Sequence, residues 1–478
     1  MRLILKILFW LLLVGISVVV LFYSEEYLRG RWAWERHLRD LAAKGINLDI
    51  KALIPPPVPD AENVAAAPIF AELFATNRPG KARLIAMKLP KGKRVGNEGW
   101  RAGLHQDLSV WREALTNDNL LAALERYAPE LKEVELALQR PKVCSPVKYE
   151  EGYAALLPHG AALLNLGKIY NAKAQAEVEA GQMANAFRDL KTMFRLGGLI
   201  KDEPSIIMML VRVATYHFPL QSLWDGLAVH AWTDEQLADL QSALEQVDML
   251  AHLEISWMAE RGMNVWILQT CLKDPRKISV LSFDESASSP PLIALWPRGW
   301  FYQNALRMDT MCDEKIMRAV NVHAARISPL LVDSADKRIS KLPSNVFNVA
   351  AKILLPAVKG MCVKTVAGQT YLSEASVACA LERYWLQHRR YPAALAELVP
   401  QFLAAVPHDV VDGQPLRYRL DSEGGFVLYS IGWDLVDDGG TIAWKKPDAP
   451  AERPKLDLEK GDWVWRSRPV TNQGSSTH

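Results

Sequence analysis

At 478 residues the chain is too long for one ordinary core and is expected to divide into two or three domains. Half of its residues are hydrophobic, which excludes wholesale disorder. Its 56 lysines and arginines against 54 aspartates and glutamates leave a formal charge of +2, so no concentrated basic face points to a nucleic-acid partner.

The first expected element is a membrane span. From Leu3 to Tyr23 the chain is apolar apart from Lys6 and Ser17, and about 20 apolar residues carry a helix across the hydrocarbon. The run ends in Phe22-Tyr23-Ser24-Glu25-Glu26, without the small residues of a cleavage site. Residues 1–26 therefore read as an uncleaved anchor whose partner is the membrane itself, through residues 3–23. Arg2 and Lys6 before the span favour a cytoplasmic N-terminus, while Arg29, Arg31, Arg36 and Arg39 after it count the other way. Trp10, Trp32 and Trp34 stand where amphipathic rings favour a bilayer interface.

Residues 27–119 read as a juxtamembrane helix, a Pro-rich strut and a loop-rich segment. Leu28, Trp32, Leu38 and Leu41 fall on or near one face of a helix over 27–44. Four prolines between Pro55 and Pro59 exclude helix and favour an extended strut. Asp60 and Asn63 are placed to cap a helix running from Ala65 to Ala75. The basic run Lys88, Lys91, Lys93 and Arg94 has no aromatics to stack bases and reads as a solvated loop.

Residues 120–365 read as helical almost throughout. Leu163, Leu166, Tyr170 and Ala174 keep helical spacing, as do Met183, Ala186, Phe187, Leu190 and Phe194. Ala180-Gly181-Gln182 between them suits an antiparallel hairpin. Asp202 to Pro204 should start another helix, which Pro219 should end or kink. Thr233 and Gln236 fit a capping box. A loop over 284–300, a helix from Asn304 to about Ile327 and a last helix from about Val366 to His388 complete an irregular helical bundle or solenoid. The five cysteines form no Cys-x-x-Cys pair, so buried thiols are expected, with a Cys271–Cys312 disulfide left open.

Tyr391-Pro392 stops the last helix. Leu416 to Leu420 and Phe426 to Ile431, separated by Glu423-Gly424-Gly425, make an antiparallel hairpin. The following loop, Gly432 to Gly440, carries Asp434, Asp437 and Asp438. Three carboxylates on a tight Gly-rich loop suit Ca²⁺, and a solvated acidic turn is the reading set against it. The order helix, Tyr-Pro turn, extended loop, hairpin and acidic Gly-rich loop resembles the globular head of a type II secretion major pseudopilin. That resemblance covers about 80 residues, from Val366 to Lys446, and implies calcium on Asp434, with Asp437 and Asp438 as further ligands. The family's later acidic pair has no equivalent here, where Trp444-Lys445-Lys446 stands. Met1 to Leu21 also lacks the prepilin-peptidase site, so the chain looks like a borrower of the head rather than a polymerising subunit.

The chain as a whole resembles membrane-anchored bacterial envelope proteins. With the pseudopilin likeness this implies a single-pass protein of the bacterial inner membrane, its bulk facing the periplasm. The expected architecture is mainly α. It comprises the N-terminal transmembrane helix, the irregular helical domain, a small α+β domain of helix plus hairpin over 366–446, and a polar, partly disordered tail over 447–478.

No Gly-x-Ser-x-Gly elbow, Walker A loop, Gly-x-Gly-x-x-Gly or His-Glu-x-x-His is present, so no catalytic residue is assigned. His252 and Glu254 are two apart on a helix and face different ways, which suits surface or interhelical hydrogen bonding. Asp309, Cys312, Asp313 and Glu314 read as a charged helix face. The functional expectation is a binding or scaffolding protein with a protein partner. The alternatives are an accessory of a secretion or pilus-like system, and an envelope hydrolase whose site shows no motif.

Overall fold

The computed structural model describes residues 2–75, 81–87, 120–274, 277, 295–312, 317–348, 351–352, 355, 357–445 and 455–467. The basic run at 88–94, Asp313 and Glu314 lie outside them.

Anchor and juxtamembrane helix are one element, α1 (Arg2–Ala43), with no proline to break it. Its 42 residues span roughly 63 Å at 1.5 Å per residue. Residues from Leu3 to Tyr23 are exposed, and burial begins only with Glu26, Gly30, Trp34 and Leu41. Trp34 is 4% exposed, so it serves the core and not the bilayer interface expected for it.

The strut leads to Asn63, whose side chain caps a 3-10 turn, Val64–Ala66, by accepting from the Ala65 amide at 3.1 Å. The helix proper, α2 (Pro68–Ala75), starts three residues later than expected, with Pro68 at its first position. Short helices α3 (Arg83–Ala86), α4 (Leu120–Leu124) and α5 (Ala128–Ala137) follow. The expected hairpin is α6 (Pro158–Glu179) and α7 (Met183–Gly198), turned by Gly181 at a φ of 71°.

Ser205 caps α8 (Ile206–Ala228). Pro219 does not end this helix: it lies inside it, buried between Tyr216 and Leu220. Packing of the surrounding apolar side chains offsets the one backbone bond that proline removes. α8 is also long and apolar enough to cross a membrane, but most of it is buried within the protein, as a core helix is. Next are α9 (Asp234–Glu245), with its Thr233–Gln236 capping box in place, and α10 (Met249–Lys273).

α11 (Arg298–Met311) is shorter than the helix expected to reach Ile327. A small antiparallel hairpin, β1 (Val320–Asn321) and β2 (Arg326–Ile327), stands where the end of that helix was expected. Asn321 closes its turn by accepting from the Ala324 amide at 2.9 Å, a local side-chain bond that competes with helix. α12 (Pro329–Ser340) and the 32-residue α13 (Ala357–His388) follow.

The C-terminal unit is richer in strand than a single hairpin. β3 (Arg417–Leu420) pairs with β4 (Phe426–Ser430) as expected, in the register Arg417 to Tyr429. β5 (Ile442–Lys445) pairs with β6 (Lys455–Gly461), and β7 (Trp463–Arg466) adds to the other edge of β4. The segment expected to be a polar tail thus supplies two strands, with Trp463, Val464 and Trp465 all buried. α13 lies across β4, β6 and β7. One buried apolar cluster runs from Trp34 through the helices to Trp465, so helical region and C-terminal unit share a core.

Candidate binding cleft

The N-terminal halves of α8 and α13, the middle of α10 and the C-terminal end of α11 do not close completely on one another. Between them lies a cleft of about 620 Å³, within the range that holds small ligands or inserted side chains. Ile206, Leu210, Met263, Met308, Val358 and Met361 give it an apolar lining, with Lys364 and Glu260 as its charged members. Ile207 also lines it and is 57% exposed. Methionines supply part of the surface, and their unbranched side chains adapt to irregular shapes.

A buried polar network stands behind one wall. Glu203, just before the α8 cap, accepts from Ser145 Oγ at 2.7 Å and Tyr149 OH at 3.2 Å, and pairs with His159 Nε2 at 2.8 Å. Its backbone carbonyl accepts from His252 Nε2 at 2.9 Å. Burial pushes the Glu203 carboxyl up, but the bonds from His159, Ser145 and Tyr149 outweigh it and hold the group below its ordinary value. Burial holds the His252 imidazole down at about 4, so it is neutral at pH 7 and donates from Nε2. Burial, followed by the Glu203 charge, lifts the Tyr149 phenol and the Cys144 thiol above their usual values.

Chemically this network is a stitch. It ties the 145–149 segment, α6, α8 and α10 together and fixes the wall to which Tyr149 and Ser205 belong. Surface or interhelical bonding was the expectation for His252, whereas its buried ring bonds the loop ahead of α8, and Glu254 is exposed on another face. Nothing in the local sequence singles out Glu203, because its partners come from 44 to 58 positions away.

Asp309 overturns its expected place on a charged helix face. It is fully buried, gripped by Arg261 at 2.7 and 2.9 Å and by His37 Nε2 at 2.7 Å. Burial pushes its carboxyl up, and those two partners bring it below the ordinary value. The triad joins α1, α10 and α11 beside the cleft. Cys312 is buried in the cleft lining, and the expected alternative of a Cys271–Cys312 disulfide is not formed.

The acidic loop is organised by an aspartate that sequence reading passed over. Asp462, between β6 and β7, accepts from the amides of Gly440 at 2.6 Å, Thr441 at 3.2 Å and Asp438 at 3.3 Å. Asp434 accepts from the amides of Val436 and Gly461, at 3.2 and 3.1 Å. Asp437 accepts from Gly439 N at 3.0 Å and Tyr429 OH at 3.1 Å. Asp434, Asp437 and Asp438 are all exposed. Among the described residues no three His, Cys, Asp or Glu side chains gather as a metal-holding group. A Ca²⁺ ion here would compete with backbone donors for the oxygens of Asp434 and Asp437.

No family model, no curated protein and no solved structure matches the chain.

Proposed function

We propose that the chain is a single-pass, membrane-anchored binding protein of the bacterial envelope, with its bulk in the periplasm. Its helical domain takes apolar side chains of a protein partner in the cleft between α8, α10, α11 and α13. The observation that carries this reading is the cleft itself, apolar, about 620 Å³ and bordered by the exposed Ile207. A buried stitch on one side and the Asp309 triad on the other hold its walls in place, which limits the ordering cost of binding.

The C-terminal unit would serve as a pseudopilin-like docking and packing module. Support for that likeness comes from α13 running into Tyr391-Pro392 and the β3–β4 hairpin. An accessory role in a secretion or pilus-like assembly rests on the same feature, and loss of localisation without that machinery would favour it.

The deciding experiment is copurification of the full chain from native membranes. A stoichiometric protein partner is expected, and Ile207→Glu should reduce its recovery about tenfold or more, the equivalent of 1.4 kcal/mol. Ile207 is exposed, so the variant should still fold. Repeated recovery of the chain alone would rule the reading out.

A further inference from the structure

α1 and α11 run side by side in the same direction. Glu26 and Tyr27 meet Gly299 at one end, and His37 meets Asp309 at the other. The start of α11 is therefore level with the point where the apolar run of α1 stops. Phe22, the last large aliphatic or aromatic residue of that run before Tyr23, has its ring 6.5 Å from that of Trp300, edge to face. Tyr23 OH donates to the carbonyl of Leu295. Trp296 packs on Trp300 at 5.7 Å.

From these contacts we infer that Leu295–Trp300 is a second membrane contact, lying at the bilayer–water interface beside the end of the anchor. The inference rests on the reading of residues 3–23 as a membrane span: whatever packs on Phe22 and Tyr23 shares their depth. The segment suits that depth chemically. Leu295 is 64% exposed, and Trp296 and Trp300 are half-buried indoles of the kind that favour interfaces.

One acid at this level turns inward. Glu26 is buried and accepts from Trp300 Nε1 at 3.1 Å and Gln303 Nε2 at 3.0 Å, so the Trp300 ring is left with its apolar surface to offer. Arg29 is paired with Glu25 and Glu26, and Arg31 with Glu35 at 2.7 Å. The arginines of these ion pairs are exposed, as is Arg298 within the segment, so the contact works by aromatic and apolar insertion and needs no anionic lipid, although headgroup charge can add to it.

The test uses the full chain in phosphatidylcholine liposomes, in a Cys144→Ser background because the other four cysteines are buried. An environment-sensitive fluorophore is attached at Leu295→Cys, at Val18→Cys within the span, or at Val229→Cys, which is 64% exposed on the helical domain. Lipids carrying a quencher near the headgroup should quench the Leu295 probe at least about twofold more than the Val229 probe, as interfacial residues require. Deep quenchers should reach Val18.

A Leu295 probe no more quenched than Val229, with Val18 quenched, overturns the second contact and leaves the anchor standing. That outcome also covers the case in which another protein occupies the patch. An unquenched Val18 probe removes the anchor reading and the contact with it. Phosphatidylcholine alone should suffice for the Leu295 quenching, and quenching that appears only once phosphatidylglycerol is added would overturn the insertion mechanism.

Discussion

Glu374 on α13 is fully buried, beside the Ser430 backbone and close to the carboxylates of Asp409 and Asp462. Burial, then the Asp409 charge, raises its carboxyl well above the ordinary value, so it is held as the neutral acid. The folded state therefore binds this proton more tightly than the unfolded chain does. By linkage, the site's contribution to stability falls as pH rises above the ordinary carboxylate value, until the raised folded value is passed. Asp409 and Asp462, also raised chiefly by burial, act in the same direction. Glu203 and Asp309 are lowered overall and act oppositely, losing their stabilisation as pH falls through their folded values. Glu374→Gln keeps the shape and removes the proton from the cycle. Its thermal midpoint should equal or exceed the parent's at neutral pH, and decline less steeply between about pH 5 and 8. Melts of both proteins across that interval would decide it, and parallel slopes would show that Glu374 is not the source. None of this was readable in the sequence, where Glu374 is one acid in a helical run and the strands that bury it lie 50 to 90 positions further on.

At the scale of elements, the join between anchor and soluble domain depends on two glycines. A Cβ on Gly299 would sit 1.9 Å from the Glu26 carbonyl oxygen, and one on Gly30 would sit 2.4 Å from that of Gly299. Backbone faces backbone there, with no flexible side chain to yield. Gly299→Val should force α1 and α11 apart, costing about 1–3 kcal/mol as overpacking does, and should loosen the Trp300–Glu26 bond. Protease cleavage within 27–43 should accelerate in the variant, and unchanged cleavage would argue against a rigid join. Elements set by neighbouring residues were readable: the α6–α7 hairpin at Gly181 and the Thr233–Gln236 box both matched. Elements decided by distant partners were not. Pro219 does not end its helix, which continues to Ala228, and Asp309 looked solvent-facing because Arg261 lies 48 positions away and His37 lies 272 away.

For the molecule as a whole, the segment between Lys455 and Ser467 matters far beyond its length. Its sequence, Lys-Leu-Asp-Leu-Glu-Lys-Gly-Asp, is too polar to announce a core strand, and the following Trp-Val-Trp is too short to show a period. Yet β7 completes the sheet against α13, Asp462 holds the acidic loop, and the Arg466 carbonyl accepts from Trp224 Nε1 of α8 at 2.7 Å. Because one core runs through both regions, the C-terminal unit and the helices should not melt independently. Trp465→Ala would leave a large void between β7 and its neighbours, at a cost of about 3–5 kcal/mol. The decisive readout is hydrogen exchange in α8 and α13, measured in the full chain. If the core is shared, the variant should lose protection along both helices as well as in β4. If protection falls in the strands alone while α8 keeps its parental exchange, the C-terminal unit folds as a separate domain. The Trp224–Arg466 bond would then be a surface contact between two independent cores.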